Sequence, residues 1–473
     1  MSNTTLSVER AAPLSSHAFY RAVWRWHFYA GLYVVPFLLM LAITGLIMLY
    51  GSTIETRLGK RYYVAPGGHH TSLQVQAKAA ENAVPDGKLT MLVWPNADTA
   101  ANVFIVTAND KQHAVAVDPH DAMVFGQVIK DDTWYYWADN IHGSFFIGKA
   151  SNGWGDHLIE AAAGLGVILV ITGIYMWWPR GNASFARTLI PDLSRSGRAW
   201  WKELHITSGA YISIFLLFFL ISGMAWTGVW GSKIMQPWGT FPAAKWDNVP
   251  TSDQTHANLN HGALKEVPWA LEETPMPVSG SLAGAKGIAE GTPVNLDSVA
   301  AFARGYGFSE QFRINVPQDE KGVYTVSADS MDADTTSPTG DHTVHIDQYT
   351  GNILADIRFA DYPLGGKAMA VGIALHEATL GGWNLVLNTA YCLLIILMCV
   401  SGVVMWWKRR PAKAFGSPLY PRDYSVPAMA LVVAAVLCVA FPLAGIAIVI
   451  FATIDFFLPK RLKQVGFTNE TQS

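Results

Sequence analysis

Four histidines stand at matching places in the two halves of the chain. His27 opens "HFYAGLYVVPFLLMLAITG" and His205 opens "HITSGAYISIFLLFFLISG". In both stretches one glycine follows the histidine by four residues and another by eighteen, giving Gly31 and Gly45 in the first, Gly209 and Gly223 in the second. His142 in "NIHGSFFIGKASNGWG" matches His376 in "ALHEATLGGWN" once a five-residue insertion is allowed in the first copy. Further on, "ITGIYMWWPR" answers "VSGVVMWWKRR", with Trp154 nineteen residues before Gly173 and Trp383 nineteen before Gly402. A lone histidine near a membrane interface is ordinarily an amphipathic side chain reaching for head groups. Four that recur by twos suggest ligands instead: two halves packed about a pseudo-twofold axis normal to a membrane would set equivalent residues face to face as two pairs.

Paired imidazoles hold metals. Structural zinc takes four ligands and catalytic zinc three, and no cysteine or carboxylate recurs beside either pair. Haem iron between two trans imidazoles in a helical bundle is the better match. The spacing therefore sets His27 with His205 and His142 with His376 as two paired sites, for which haem is the better-fitting occupant. His157 is the runner-up, because it lies near the second apolar run but its repeat partner is Val386. There is no C-x-x-C-H attachment motif, so the group would be a non-covalent haem b. On a helix advancing 100° per residue, eighteen residues complete five turns, and His27 and Gly45 share a stripe with Gly31 about 40° away. Gly31, Gly45, Gly173, Gly209, Gly223 and Gly402 would give a flat group room to approach; the competing use is helix packing through small residues. Two imidazoles leave iron no open position, which favours electron transfer. Eighteen residues rise about 27 Å, so the two sites would lie near opposite edges of the hydrocarbon layer.

The elements that must position these residues are apolar runs. The chain has 473 residues, 51% hydrophobic and 15% charged, few charges for a soluble domain. Uncharged runs at Phe28–Tyr50, Ala161–Trp178, Ile206–Ser232, Ala378–Trp407 and Tyr424–Ile454 each meet the length of a bilayer-spanning helix. The last is interrupted by "FPLAG", and Pro442 with Gly445 favours two short helices. Arg10, Arg21 and Arg25 before the first run, the basic stretch between the second and third, and "WWKRRPAK" after the fourth place those segments in the cytoplasm. Trp24, Trp26, Trp177, Trp178, Trp200, Trp201, Trp406 and Trp407 fit an aromatic belt on that side. The first run is too long for a cleaved signal peptide and is expected to stay as an anchor.

The predicted layout is a membrane α-helical bundle of four main transmembrane helices in two repeated halves, with two small external α+β domains. The N-terminus, 1–26, is cytoplasmic; the spans are 27–50, 157–178, 205–232 and 378–407. The external domains are 51–156 and 233–377, and the cytoplasmic loops 179–204 and 408–423. A C-terminal hydrophobic helix or hairpin occupies 424–458, and its "KRLK" tail, 459–473, returns to the cytoplasm only if the run is a hairpin. In the external segments, "SLQVQAKAAENAV" and "NLDSVAAFARGYGF" have helical periodicity. "HAVAVDPHDAMVFGQV" and "HTVHIDQYTGNILADI" read as strands joined by Asp-led turns. Residues 247–295, rich in proline, serine and glycine, have no counterpart in the first half and read as an exposed loop or passive linker. His69, His70, His113, His120, His256, His261, His342 and His345 fall in external segments and are expected mostly at the surface. Cys392, Cys399 and Cys438 lie in apolar runs, where packing is the expected role. A formal net charge of −3 without basic tracts argues against nucleic acid.

Taken in order, "WRWHFYAGLYVVPFLLMLAITGLIMLY", "VAVDPHDAMVFGQV", "NIHGSFFIG", "ITGIYMWWPRG", "ELHITSGAYISIFLLFFLISGMAWTGVWG", "HIDQYTGNIL", "ALHEATLGGW" and "VSGVVMWWKRR" resemble the PepSY-associated transmembrane family over almost the whole chain. The resemblance implies bacterial inner-membrane proteins with two periplasmic PepSY domains, linked to iron uptake. Some members resemble haem-bearing reductases that pass electrons to ferric siderophores. By that pattern the axial-ligand candidates here are His27, His205, His142 and His376.

The expected function is then di-haem electron transfer from a cytoplasmic donor or the membrane quinol pool to a ferric siderophore or other Fe(III) chelate. No G-x-G-x-x-G fingerprint is present, so a nicotinamide or flavin domain of its own is not expected. One alternative is a membrane-anchored PepSY protein that binds or regulates a peptidase without redox activity, which leaves the repeated histidines unexplained. A transporter would more naturally carry ionisable residues within its spans; apart from edge residues such as Glu160 and Glu203 they are missing.

Overall fold

The computed structural model describes residues 14–54, 62–147, 153–180, 184–240, 248–261, 265–410, 416, 418 and 426–457. Arg10, most of the loop 408–423, and the tail with "KRLK" lie outside the described residues. The helices are α1 (Leu14–Ile54), α2 (Leu73–Asn82), α3 (Trp134–Ser144), α4 (Trp154–Trp177), α5 (Phe185–Thr188), α6 (Gly197–Met224), α7 (Gln236–Gly239), α8 (Leu296–Tyr306), α9 (Leu364–Glu377), α10 (Gly382–Arg409), α11 (Ala428–Ala440) and α12 (Pro442–Phe457). The strands are β1 (Lys88–Trp94), β2 (Asn102–Ala108), β3 (Lys111–Val117), β4 (Val124–Ile129), β5 (Thr251–Thr255), β6 (Pro275–Pro277), β7 (Phe312–Asn315), β8 (Val323–Ala328), β9 (His342–Asp347) and β10 (Ile353–Arg358). Four helices, α1, α4, α6 and α10, are long and apolar enough to cross a membrane. The last apolar run does break at Pro442 into α11 and α12.

The chain divides into two compact units: residues 1–39, 158–220 and 393–473, and residues 40–157 and 221–392. In the first, Val34, Leu165 and Ala444 form a small core. Gly164 lets α12 approach α4, since a Cβ there would lie 2.8 Å from that of Ala444.

The second unit holds one eight-stranded antiparallel sheet in the order β10-β9-β8-β7-β1-β2-β3-β4. The two external α+β domains expected from the sequence therefore share a single sheet. Each half runs one helix and then four strands, α2 with β1 to β4 and α8 with β7 to β10. The halves join where β1 pairs with β7, Met91 opposite Asn315 through Trp94 opposite Phe312. Both first strands are edges that need a partner, and each supplies the other's. Alternation fills both faces of β1: Leu92 points to the core under α2 and α8, whereas Met91 and Val93 join Val103, Ile105 and Ala114 on the other side. Helix α8 buries Leu296, Val299, Ala300 and Ala303, the i, i+3, i+4, i+7 stripe of an amphipathic helix. Asn295 and Ser298 close its first turn as a capping box. The halves are stitched again where the Asp297 carboxylate accepts from the Leu73 N–H at the start of α2, at 2.6 Å.

The segment 247–295 corrects an expectation. Among its described residues only part is an exposed loop: most of 280–293 lies exposed, but β5 pairs with β6, and Val267, Trp269, Ala270 and Leu271 are buried. The prolines and glycines mask a short apolar cluster that packs on Ile357 and Tyr362. Three histidines expected at the surface are buried too. His256 and His345 meet Nε2 to Nε2 at 2.9 Å, and His342 bonds Asp356 at 2.8 Å.

Candidate functional site

In the first unit, His27 on α1 places its Nδ1 2.9 Å from the Thr172 hydroxyl of α4. The next residue, Gly173, faces the same ring, and a Cβ there would lie 3.4 Å from His27 Cε1. His205 on α6 repeats this on α10: Nδ1 is 2.9 Å from Ser401 Oγ, and a Cβ at Gly402 would lie 3.5 Å from His205 Cε1. The two imidazoles are electrostatic neighbours.

In the second unit the arrangement recurs. His142 on α3 places Nδ1 2.9 Å from Thr44 Oγ1 of α1, with Gly45 3.8 Å from its Cε1 by the same construction. His376 on α9 places Nδ1 2.8 Å from Ser222 Oγ of α6, with Gly223 3.4 Å from its Cε1. Their ring centres are 6.4 Å apart, and the planes cross at 83°. An imidazole nitrogen sits about 2 Å from a bound metal. Two rings on opposite sides of one iron would then have centres about 6 Å apart, so this pair fits bis-imidazole ligation. Burial pushes His142 down to about 4; burial and the neighbouring His142 push His376 down to about 3. Both rings are therefore neutral at pH 7, the ligand form.

The structure brings His142 to His376, while the ring of His157 lies against Trp154. Gly45, Gly173, Gly223 and Gly402 each receive a histidine from another helix. Gly31 and Gly209 face Leu169 and Met398 of neighbouring helices instead. Ordinary contact distances at the four histidine-facing glycines leave room for a methyl group and for little more.

Sequence reasoning missed the hydroxyl that precedes each of these glycines. It also missed Asn384 and Asn388, both buried on α10. Their amides donate to the carbonyls of Leu375 and His376 at 2.8–2.9 Å, which fixes the end of α9. The signal was there, because two asparagines one turn apart at the start of an apolar span need a polar partner.

Each short histidine helix of the second unit ends in a left-handed residue, Phe145 after α3 and Ala378 after α9. Ala378 has φ +63°, which costs a side chain roughly 1–2 kcal/mol. Ala378→Gly is expected to raise stability by about 1 kcal/mol, measured by thermal unfolding in detergent.

Comparison with curated proteins finds no match. The family model described as PepSY-associated TM region matches residues 24–409. That stretch takes in α4, α6 and α10, most of α1 and the four repeated histidines, and this membrane protein belongs to the PepSY-associated transmembrane family.

Proposed function

We propose that this chain is a di-haem electron-transfer protein of the bacterial inner membrane. In this reading, electrons come from a cytoplasmic donor or the quinol pool and reduce a ferric siderophore or similar Fe(III) chelate in the periplasm. The observation that carries it is the fourfold recurrence of one histidine cradle, two copies in each unit. His27 and His205 would hold one haem b, His142 and His376 the other. A haem held by these imidazoles would supply one-electron ferric/ferrous chemistry suited to outer-sphere transfer. The protein's part is to present neutral imidazoles at fixed orientation. Reduction frees the metal because hard oxygen donors hold Fe(II) more weakly than Fe(III).

A cavity of about 310 Å³ in the second unit supports the substrate side of this reading. That volume lies at the lower end of ligand clefts. Glu377 and Ala378, the residues directly after His376, form part of its wall with Met48, Tyr136, Lys130 and Arg313.

The test is a reduced-minus-oxidised visible spectrum of protein purified in detergent, with Fe(III) chelate reduction followed by a ferrous-specific dye. The expected result is a low-spin b-type signature, about two haems per chain, and reoxidation by the chelate. Colourless protein from haem-replete cells overturns the reading.

A further inference from the structure

Thr44, Thr172, Ser222 and Ser401 stand one residue before the four histidine-facing glycines, and each bonds one of the four histidines. Where their protons go decides what they do. The Thr172 hydroxyl lies 2.7 Å from the carbonyl of Ile168, four residues back, and Thr44 lies 2.8 Å from that of Met40. Ser401 lies 2.9 Å from the carbonyl of Met398. A hydroxyl has one proton and two lone pairs. With that proton donated to the helix carbonyl, the oxygen can only accept from the imidazole, so the ring proton sits on Nδ1. A neutral imidazole protonated on Nδ1 carries its lone pair on Nε2, the nitrogen left for a metal.

We propose that Thr44, Thr172 and Ser401 are positioning residues, holding the imidazole each one bonds in the Nδ1–H tautomer and lowering the reduction potential of the iron it would ligate, and that Ser222, which makes the same contact with His376, has the same part. This rests on the haem reading above. A hydrogen bond from Nδ1–H makes Nε2 a stronger donor, and a stronger donor favours the ferric state. Each proposed haem has one threonine-held ligand and one serine-held ligand, so the variants sort by pair.

The test is a redox titration with ferric electron paramagnetic resonance on purified full-length protein carrying Thr172→Val, Ser401→Ala, Thr44→Val or Ser222→Ala. Thr172→Val and Ser401→Ala are expected to raise the midpoint of the same haem, and Thr44→Val and Ser222→Ala that of the other. About 59 mV upward corresponds to a tenfold gain in ease of reduction. Thr172→Ser, which keeps the hydroxyl, is expected to stay at the wild-type value. Loss of one haem from Thr172→Val with retention in Thr172→Ser supports the proposal equally. If Thr172→Val does not fold, Ser401→Ala, the smaller change, decides. Unmoved potentials and spectra in haem-replete variants overturn the proposal and leave the haem reading standing. A shift of different haems by Thr172→Val and Ser401→Ala overturns both, because it separates two ligands that the haem reading assigns to one iron. Wild-type protein without haem overturns both.

Discussion

If the wild type carries two haems as proposed, His376→Ala protein is expected to purify with one per chain. His376 and His142 face each other at a separation that fits a single iron, so deleting one imidazole leaves a metal with one protein ligand in an apolar site. Losing a partner that merely orients a ligand costs about 10–100-fold in affinity, and losing the ligand itself costs more. The remaining haem should keep its low-spin spectrum. His205→Ala should empty the other site, and His27→Ala combined with His376→Ala should give colourless protein. Exogenous imidazole should partly restore the lost haem in His376→Ala, because the small-residue cradle at Gly223 remains. His157→Ala should leave both haems in place. Haem stoichiometry by the pyridine haemochrome assay reads each outcome, and two haems in His376→Ala would contradict the ligand assignment.

Arg313→Met is expected to destabilise the sheet unit by about 3–5 kcal/mol, the usual cost of stranding one side of a buried ion pair. Arg313 is buried on β7 and pairs with Asp332 and Asp334, with Gln311 donating to Asp334 at 2.7 Å. Burial alone would lower the Arg313 pKa, but Asp332, Asp334 and Asp329 together raise it. The carboxylates answer in the opposite sense. Burial raises Asp334 to about 7 even though Arg313 pulls it down. In Arg313→Met that pull is gone, and the folded state binds a proton more tightly than the unfolded one. A carboxyl whose folded pKa is raised opposes folding increasingly as pH rises above its unfolded value. Because wild-type Asp334 already holds its proton below about 7, the part of the deficit that comes from this carboxyl should be absent between about pH 4 and 6 and grow as the pH rises through about 7 to 9. Thermal unfolding across that range checks the sign, and adding Asp334→Asn should recover part of the loss at neutral pH.

The histidines were legible because each is one residue in a spacing that occurs twice, and spacing survives without structure. The hydroxyls stood in the same quoted stretches, as "ITG", "ITG", "ISG" and "VSG". They passed unnoticed because a serine or threonine in a helix ordinarily bonds back to its own carbonyls. Nothing along the chain says that a ring from another helix will also reach it. Gly45 and Gly223 were read as sharing a stripe with the histidine of their own helix, whereas they receive the histidine of a different one, and Gly31 and Gly209 receive none. That distinction depends on helix pairing, which a period cannot carry. The helices α2 and α8 and the Asp-led turn before Gly351 followed from local chemistry: the Asp347 carboxylate accepts from the Tyr349 and Thr350 amides. The union of two expected domains into one sheet did not, because the β1–β7 contact joins residues more than two hundred apart. Arg313 lay in "QFRINV", which reads as a half-exposed strand until the acidic loop that covers it is placed.

The seam between β1 and β7 also bears on how such a chain could be cut. The two strands hold the same rank in their halves and run antiparallel, so the contact has the self-complementary form of a twofold interface. A fragment ending before α8 would present β1 as a bare sheet edge. A second copy of that fragment could cover it with its own β1, and the natural product of truncation is then a homodimer rather than a half-sized monomer.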